Sequence, residues 1–167
     1  MRGLIIGRFQ PFHNGHAKLA ENNKEHEIIF AIGSAYNSFS FENPFTAGER
    51  CEMIYEAMEE IEIKKFFVIP IPDINRYGVY AKHVIDLVPS FDFVISNNPL
   101  IKELFEREGY KIKETPLYKR DKYQGKVIRK RIAEGKKWED LVPKRVAAYI
   151  KKIEGDIRIR RLADVKL

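Results

Sequence analysis

Two histidines three residues apart lie in a loop that runs from Gly7 to His16 and leads into a helical segment. The loop also contains Arg8 and Gly15, so a strand-end glycine, a cation and two imidazoles meet at one helix start. The free amides and the dipole of a helix N-terminus favour an anion. The sequence therefore predicts a phosphate site formed by Gly7, Arg8, His13, Gly15 and His16. It contains neither a Walker loop nor a G-x-G-x-x-G fingerprint at this point.

Two other interpretations of the histidines stay open at this stage. A single histidine at a helix start is commonly a cap or a surface residue, although two histidines beside a glycine and an arginine favour a functional role. Metal ligation is the alternative function. The sequence offers no obvious third ligand for it, because His26 and His83 lie on other predicted elements.

A second candidate site is the basic segment 123–131, Tyr-Gln-Gly-Lys-Val-Ile-Arg-Lys-Arg, which opens another predicted helix. Residues 111–167 contain 19 basic and 8 acidic side chains, whereas residues 1–110 contain 11 and 16. Such a basic half can be a nucleic-acid surface, an anionic-ligand site or a solvated helical face, and composition does not choose among them. Arg50 is a further phosphate candidate, or a member of an ion pair within its own helix.

The elements that must position these residues alternate along the chain. Short apolar runs predict strands and longer segments with helical spacing separate them. The predicted strands are Gly3 to Gly7, Glu27 to Gly33, Phe66 to Ile71, Phe91 to Ser96 and a shorter candidate, Tyr110 to Glu114. The predicted helices begin near Gly15, Thr46, Tyr77, Pro99 and Gly125, with a last one after Pro143. Thr46 and Glu49 form a capping-box pattern.

This alternation predicts an α/β fold, a Rossmann-like open parallel β-sheet of about five strands with helices on both faces. Ligands bind such sheets outside the carboxyl ends of the strands. We therefore expect the site in the loops after residues 7, 33, 71 and 96.

The composition is that of a folded protein and excludes a disordered one, since 44% of the 167 residues are hydrophobic and 12% are aromatic. We expect a single domain over residues 1–167, with a basic helical part from about residue 120. The lone Cys51 cannot form an internal disulfide and is interpreted as a buried helical thiol, which favours the cytoplasm. No apolar run reaches the roughly 20 residues of a membrane span, and the N-terminus lacks the apolar centre of a signal peptide.

The loop motif His13-Asn14-Gly15-His16 resembles the H-x-G-H motif of a nucleotidyltransferase superfamily. Further stretches resemble the archaeal-type nicotinamide mononucleotide (NMN) adenylyltransferases, and they follow one another in order from Met1 to about Ala163. These stretches are Gly7 to His16, Ile32 to Ala35, Asn43 to Arg50, Pro72 to Ile74, Asn98 to Leu100, and Trp138 to Pro143.

The resemblance implies transfer of AMP from ATP to the 5′-phosphate of NMN, giving NAD and pyrophosphate without a covalent enzyme intermediate. It implies that His13 and His16 contact the ATP phosphates, with His16 stabilising the transition state. Arg8 would bridge the phosphates of the two substrates, and Arg129 would hold the β- and γ-phosphates. The further residues expected to bind ATP are Gly7, Phe9, Gly15, Arg50, Gly125, Lys126 and Ile128.

The same resemblance gives the expected acceptor site, formed by Ser34, Asp73, Ile74, Tyr77 and Tyr80. Tyr80 stands where the family often has a tryptophan that stacks on the nicotinamide ring, and a tyrosine stacks with less area. Tyr77 and Tyr80, three residues apart, are alternatively a helix face packed in the core. A second departure from the family is Gln124 with Lys126 in place of a hydroxyl residue, and the Lys126 amine is able to replace the missing phosphate contact.

The resemblance also implies Mg²⁺ held through the ATP phosphates with no protein ligand, and homo-oligomers, commonly hexamers. A nucleic-acid partner is not expected, because no recognised nucleic-acid-binding pattern is present, and no membrane partner is expected. The preference between NMN and its nicotinate analogue stays open. So does a related enzyme that uses flavin mononucleotide, phosphopantetheine or a polyol phosphate as acceptor.

Overall fold

The sheet of the protein has five parallel strands in the order β3-β2-β1-β4-β5. The computed structural model describes residues 1–116, 118–119 and 121–164. Its strands are β1 (Arg2–Gly7), β2 (Glu27–Ile32), β3 (Phe66–Pro70), β4 (Phe93–Ile95) and β5 (Lys111–Lys113). The predicted open parallel sheet is confirmed, although β4 is shorter than the predicted run from Phe91 to Ser96.

In the part of the chain that the structure describes, seven helices accompany the strands, together with two short 3-10 turns at Tyr77–Val79 and Glu139–Leu141. The helices are α1 (Asn14–Glu21), α2 (Ala47–Glu60), α3 (Tyr80–Leu87), α4 (Pro99–Arg107), α5 (Gly125–Ala133), α6 (Lys144–Lys152) and α7 (Gly155–Ala163). Among the described residues, none of the helices has the length and apolar character needed to cross a membrane. Cys51 lies on α2 as predicted, but it is half-buried rather than buried.

The strands bury both of their faces because successive side chains point to opposite sides of the sheet. Ile5 and Phe30 belong to one apolar cluster, which includes residues of α1, α2, α5, α6 and α7. Leu4 and Ile29, one position away on the same strands, belong to a second cluster with residues of α3 and α4. Helices therefore cover both faces, as the near-continuous apolar strands predict.

The prediction of one helix after Pro143 is wrong, because the chain breaks at Glu154 and continues as a second helix. Glu154 has a left-handed backbone with φ of 57°. The break allows α7 to fold back against Phe45, and a Cβ added at Gly155 would lie only 2.7 Å from Cε1 of that ring. The close approach is a tertiary contact that the helical spacing of the sequence does not reveal.

Ion pairs explain part of the uneven charge along the chain. Arg158 on α7 makes a two-pronged contact with the Glu49 carboxylate on α2, with N–O distances of 2.6 and 2.8 Å. Arg145 on α6 pairs with Glu56 of the same α2 helix at 2.7 Å. The basic C-terminal helices therefore dock on an acidic helix of the N-terminal half, so these arginines are not free for a nucleic acid.

Replacing Gly155 with alanine is expected to lower the free energy of unfolding by about 1–3 kcal/mol, because the added methyl group overpacks the buried Phe45 ring. Urea denaturation measures the change. Gly48→Ala is the matched control, since Gly48 also lies in a first helical turn and its nearest neighbour would be 3.9 Å away. Equal stability of the two variants would contradict the tight docking of α7.

Candidate active site

Two clefts open at the carboxyl edge of the sheet, beside the ends of β1 and β4. The chain continues from β1 to one face of the sheet and from β4 to the opposite face. The first, called the α1 cleft, encloses about 620 Å³, and its walls include His13, Gly15, His16, Lys18, Tyr118 and Tyr123. The second, called the α3 cleft, encloses about 640 Å³. Its walls include Gly7, Arg8, Ser34, Asp73, Tyr77 and Tyr80. Ile6 and Asn98 line both clefts, so the two spaces adjoin.

A larger open depression of about 1080 Å³ lies at the opposite, amino edge of the sheet. Its wall mixes acidic and basic side chains, and some of them already pair, as Arg2 does with Glu27. Such a wall presents no single sign of charge to a ligand. The chemistry predicted from the sequence lies at the carboxyl edge, so we place the candidate site there, in agreement with the general rule for open parallel sheets.

The side chains of His13 and His16 cap the start of α1 by accepting hydrogen bonds from backbone N–H groups. The backbone N–H of His13 donates to Nδ1 of His16 at 3.0 Å, and the N–H of Gly15 donates to Nδ1 of His13 at 3.1 Å. The two rings stack with their centroids 3.6 Å apart. His13 and His16 therefore both cap α1 and line the α1 cleft.

Apolar rings enclose the His16 imidazole. Its centroid lies 4.8 Å from that of Phe9 and 5.1 Å from that of Phe12. Burial lowers the pKa of His13 to about 3. Burial, with a smaller effect of the His13 charge, lowers the pKa of His16 well below 6.5. Both side chains are therefore uncharged at neutral pH in the absence of a ligand.

The side chain of Phe9 faces the protein interior, so its predicted nucleotide contact stays a prediction that concerns its backbone. Its side chain is only 2% exposed and packs in the first apolar cluster. A Cβ at Gly7 would come within 3.1 Å of the same ring, so Gly7 leaves room for it beneath the strand end. Phe9 therefore supports the His16 ring from below instead of facing a ligand.

Arg50 also differs from its predicted role as a phosphate ligand. Its side chain is fully buried on α2, and its guanidinium donates to backbone carbonyl oxygens at 2.9–3.4 Å. The acceptors belong to Arg8, Gly33, Ser34, Ala35, Asn37 and Thr46. Its five donors are thus used inside the protein. The alternative of an ion pair within the helix is not seen among the described residues, where the hydrogen-bond partners of Arg50 are backbone carbonyls.

Arg129 on α5 lines neither cleft, but it binds the backbone of the loop that leads into α1. The side chain is 5% exposed, and its Nη1 donates to the Gln10 carbonyl at 2.7 Å. Its Nε is buried without a hydrogen-bond partner among the described residues. Burial, with a smaller effect of the Arg8 charge, lowers the pKa of Arg129 to about 10, and the charge of Glu42 acts in the opposite direction. A cation with an unpaired buried donor near another arginine is suited to bind an anion.

The start of α5 holds Arg129 in place, but it does not bring every predicted residue to the site. Gly125 allows the close approach, because an added Cβ would lie 2.7 Å from Nη1 of Arg129 and 3.1 Å from the Gln10 oxygen. Ile128 is fully buried in the core, which leaves only its backbone to contact a ligand, and its predicted part in binding ATP stays a prediction. Lys126 is exposed and lines neither cleft.

The five residues predicted for the acceptor all line the α3 cleft. The Ser34 hydroxyl donates to Oδ1 of Asp73 at 3.1 Å. Burial, together with the charge of Asp73, raises the pKa of Tyr80, so its phenol stays protonated. Tyr77 is 69% exposed and is therefore not a core residue, and Ile74 is 41% exposed. Tyr80 is half-buried and also packs against the second apolar cluster.

Sequence reasoning missed several residues of the two clefts. Lys18 is one of them, and its position three residues after Gly15 on a helix was a usable signal, because such residues share a face. The others are Arg76, Asn97 and Tyr118. These three lie in loops, where spacing carries no information about direction. Within the described parts of the chain, no three His, Cys, Asp or Glu side chains are grouped to hold a metal.

Comparison with known proteins places this geometry in a family. The model of the cytidylyltransferase-like family matches residues 4–145. The solved structure of a bifunctional NMN adenylyltransferase/ADP ribose pyrophosphatase from Francisella tularensis, complexed with AMP and a Mn ion, superposes with a TM-score of 0.73 at 17% identity. The match covers 96% of this chain and 51% of that one, and it shows a shared fold. The chain belongs to the cytidylyltransferase-like family.

Curated relatives define the family more narrowly. A nicotinamide-nucleotide adenylyltransferase of Thermococcus kodakarensis is 45% identical over 166 residues, covering 97% of this chain and 88% of the relative. One of Archaeoglobus fulgidus is 46% identical over 172 residues, covering 99% and 97%. Within the wider family, the chain is a member of the nicotinamide-nucleotide adenylyltransferases, and the resemblance seen in its motifs is confirmed.

Arg50→Lys is expected to lower the free energy of unfolding by about 2–5 kcal/mol, since an ammonium group has three donors and cannot satisfy the carbonyls that the guanidinium binds. Urea denaturation measures the loss. Arg107→Lys on the exposed face of α4 is the control and should change stability by less than about 0.5 kcal/mol. Little change in Arg50→Lys would show that the buried guanidinium is not what holds the loops.

Gly125→Ala is expected to displace the Arg129 head from the Gln10 carbonyl and weaken anion binding. Calorimetry with inorganic triphosphate should show a dissociation constant raised at least about tenfold, a cost of about 1.4 kcal/mol. Gly78→Ala, where an added Cβ has no neighbour within 4 Å, is the control. Unchanged binding in Gly125→Ala would separate Arg129 from the anion site.

Proposed function

We propose that the chain transfers AMP from ATP to the 5′-phosphate of NMN and releases NAD and pyrophosphate. The observation that carries this proposal is the meeting of two clefts at the carboxyl edge of β1, with Arg8 lining one and His13 and His16 lining the other. ATP would occupy the α1 cleft and NMN the α3 cleft. The two phosphates to be joined would then meet beside Ile6 and Asn98.

The reaction is an in-line displacement at the α-phosphorus of ATP. An oxygen of the NMN phosphate forms the new P–O bond while the bond to the β-phosphate oxygen breaks, and pyrophosphate leaves with its charge. In this proposal His13 and His16 donate hydrogen bonds to the phosphates, and Arg129 holds the leaving pyrophosphate. Arg8 offsets the repulsion between the two substrates. Placement and charge stabilisation are the kinds of catalysis that such a step needs.

Mg²⁺ is proposed as the accompanying ion. The described residues offer no carboxylate cage, and Mg²⁺ prefers phosphate and water oxygens, so we infer that it enters on the ATP phosphates. When bound, it neutralises phosphate charge. The Mn ion in the Francisella tularensis structure supports a divalent metal for this fold without fixing which one.

The chemistry of the α3 cleft favours a pyridine nucleotide as the acceptor. The pyridinium ring of NMN carries a positive charge, which suits the Asp73 carboxylate and the aromatic face of Tyr80. A neutral flavin ring or a pantetheine chain gains nothing from that carboxylate. Ser34 donates to Asp73 and so fixes its direction.

Other features stay proposals that rest on the resemblance. We propose one domain over residues 1–167 and assembly into homo-oligomers, commonly hexamers in this family. The lone free Cys51 supports a cytoplasmic location. Lys126, exposed at the start of α5, is proposed to reach the phosphates from outside the clefts as a replacement for the family's hydroxyl.

Pyrophosphate release with ATP and Mg²⁺ tests the acceptor. We expect release with NMN and a dinucleotide product, and none with flavin mononucleotide or phosphopantetheine. Asp73→Asn should lower kcat/KM for NMN about tenfold without changing the KM for ATP, because the pyridinium loses its counter-charge. Asp86→Asn, on the exposed side of α3, is the matched control. Release with another acceptor alone would move the chain to a related enzyme class.

A further inference from the structure

The ring nitrogens of His13 and His16 are constrained by the start of α1. Each Nδ1 accepts a hydrogen bond from a backbone N–H, that of Gly15 for His13 and that of His13 for His16. An amide N–H can only donate, so each Nδ1 must present a lone pair. In a neutral imidazole the proton then resides on Nε2.

We propose that His13 and His16 act as neutral Nε2–H donors throughout the reaction and that neither becomes an imidazolium when the triphosphate binds. The inference rests on the proposed function. It adds that the helix cap assigns the tautomer and the charge of both histidines. The positive charge offered to the phosphates would come from arginine and lysine side chains instead.

Protonation of either ring has a structural cost. A proton on Nδ1 would face the amide hydrogen that it now accepts, so the first turn of α1 would lose a cap. The rings are stacked with centroids 3.6 Å apart, which places any two charges close together. Phe9 and Phe12 cover His16 and offer no acceptor for an added proton. Burial accordingly lowers the pKa of both histidines.

The groups that face the pair do not favour an imidazolium either. Lys18 on α1 lines the same cleft with its ammonium group, and the titratable groups opposite are the phenols of Tyr118 and Tyr123. Among the described residues that line the α1 cleft there is no carboxylate. The phosphates of a ligand are thus the main groups that would draw a proton to the rings, and the cap opposes them.

Nitrogen-15 NMR of the ring nitrogens tests the proposal without any need for activity. We expect both histidines as Nε2–H tautomers with shifts that do not titrate between pH 8 and 5.5, in the free protein and with saturating inorganic triphosphate. His26 and His83, elsewhere in the fold, are internal references. A proton on Nδ1, or a midpoint between pH 6 and 8 with triphosphate bound, would overturn it. Failure of the proposed acceptor would leave this result unaffected.

Two substitutions separate the cap from the donor. Asparagine is short and places its amide oxygen near the Nδ1 position, whereas glutamine reaches the Nε2 position with an amide N–H. If a neutral donor suffices, His16→Gln keeps kcat within about tenfold of the native enzyme, while His16→Asn keeps the melting temperature but loses at least about 100-fold. Equal inactivity of two folded variants would show that the imidazole supplies something a neutral donor cannot.

The pH dependence of kcat is a further test of the neutral histidines. Between pH 7 and 9 the substrate phosphates are ionised, so a required imidazolium would cost about tenfold in kcat for each pH unit above its pKa. We expect a flat kcat in that range for the native enzyme and for His16→Gln. A tenfold fall per pH unit in the native enzyme alone would refute the neutral pair.

Discussion

A buried arginine, which has no carboxylate partner among the described residues, holds together the loops that carry the candidate site. The Arg50 guanidinium gathers carbonyl oxygens from the ends of β1 and β2 and from the turn that precedes its own helix. Carbonyl dipoles replace the water that the charge loses on burial, and each carbonyl gains the partner that a loop would otherwise lack. Arg8 and Ser34, whose carbonyls it binds, both present their side chains to the α3 cleft.

Side chains also satisfy backbone polar groups at the start of α1. One nitrogen of each ring, Nδ1 of His13 and of His16, accepts a hydrogen bond from the backbone, and the other is the one that we propose for the phosphates. Gln10 has a comparable role. Its side-chain amide exchanges two hydrogen bonds with the Phe45 backbone, and its own backbone carbonyl accepts a hydrogen bond from Arg129. The same short loop thus supplies both local structure and the proposed ligand contacts.

The C-terminal helices complete the site from a distance in sequence. Arg158 of α7 binds Glu49, whose carboxylate also caps the α2 helix that carries Arg50. Although burial of Glu49 opposes it, the hydrogen bonds from Arg158 and Thr46 keep the pKa of that carboxylate below its usual value. In the sequence, the basic C-terminal part resembles a solvated face or a nucleic-acid surface. In the structure, two of its arginines, Arg145 and Arg158, instead form ion pairs with α2.

The sequence by itself determined the parallel sheet and the capping box at Thr46, because strand periodicity and capping patterns are local properties of the chain. The phosphate loop came from a local motif and the acceptor residues from a family resemblance, and the roles of both stay predictions. The tertiary structure alone decided that Arg50, Phe9 and Ile128 face inward. The residue type of a basic or aromatic side chain near a motif does not show whether that side chain faces a ligand or the protein interior. Only the packing of α2, α5 and α7 against the strand ends shows which carbonyls and rings occupy the space that a ligand would otherwise fill.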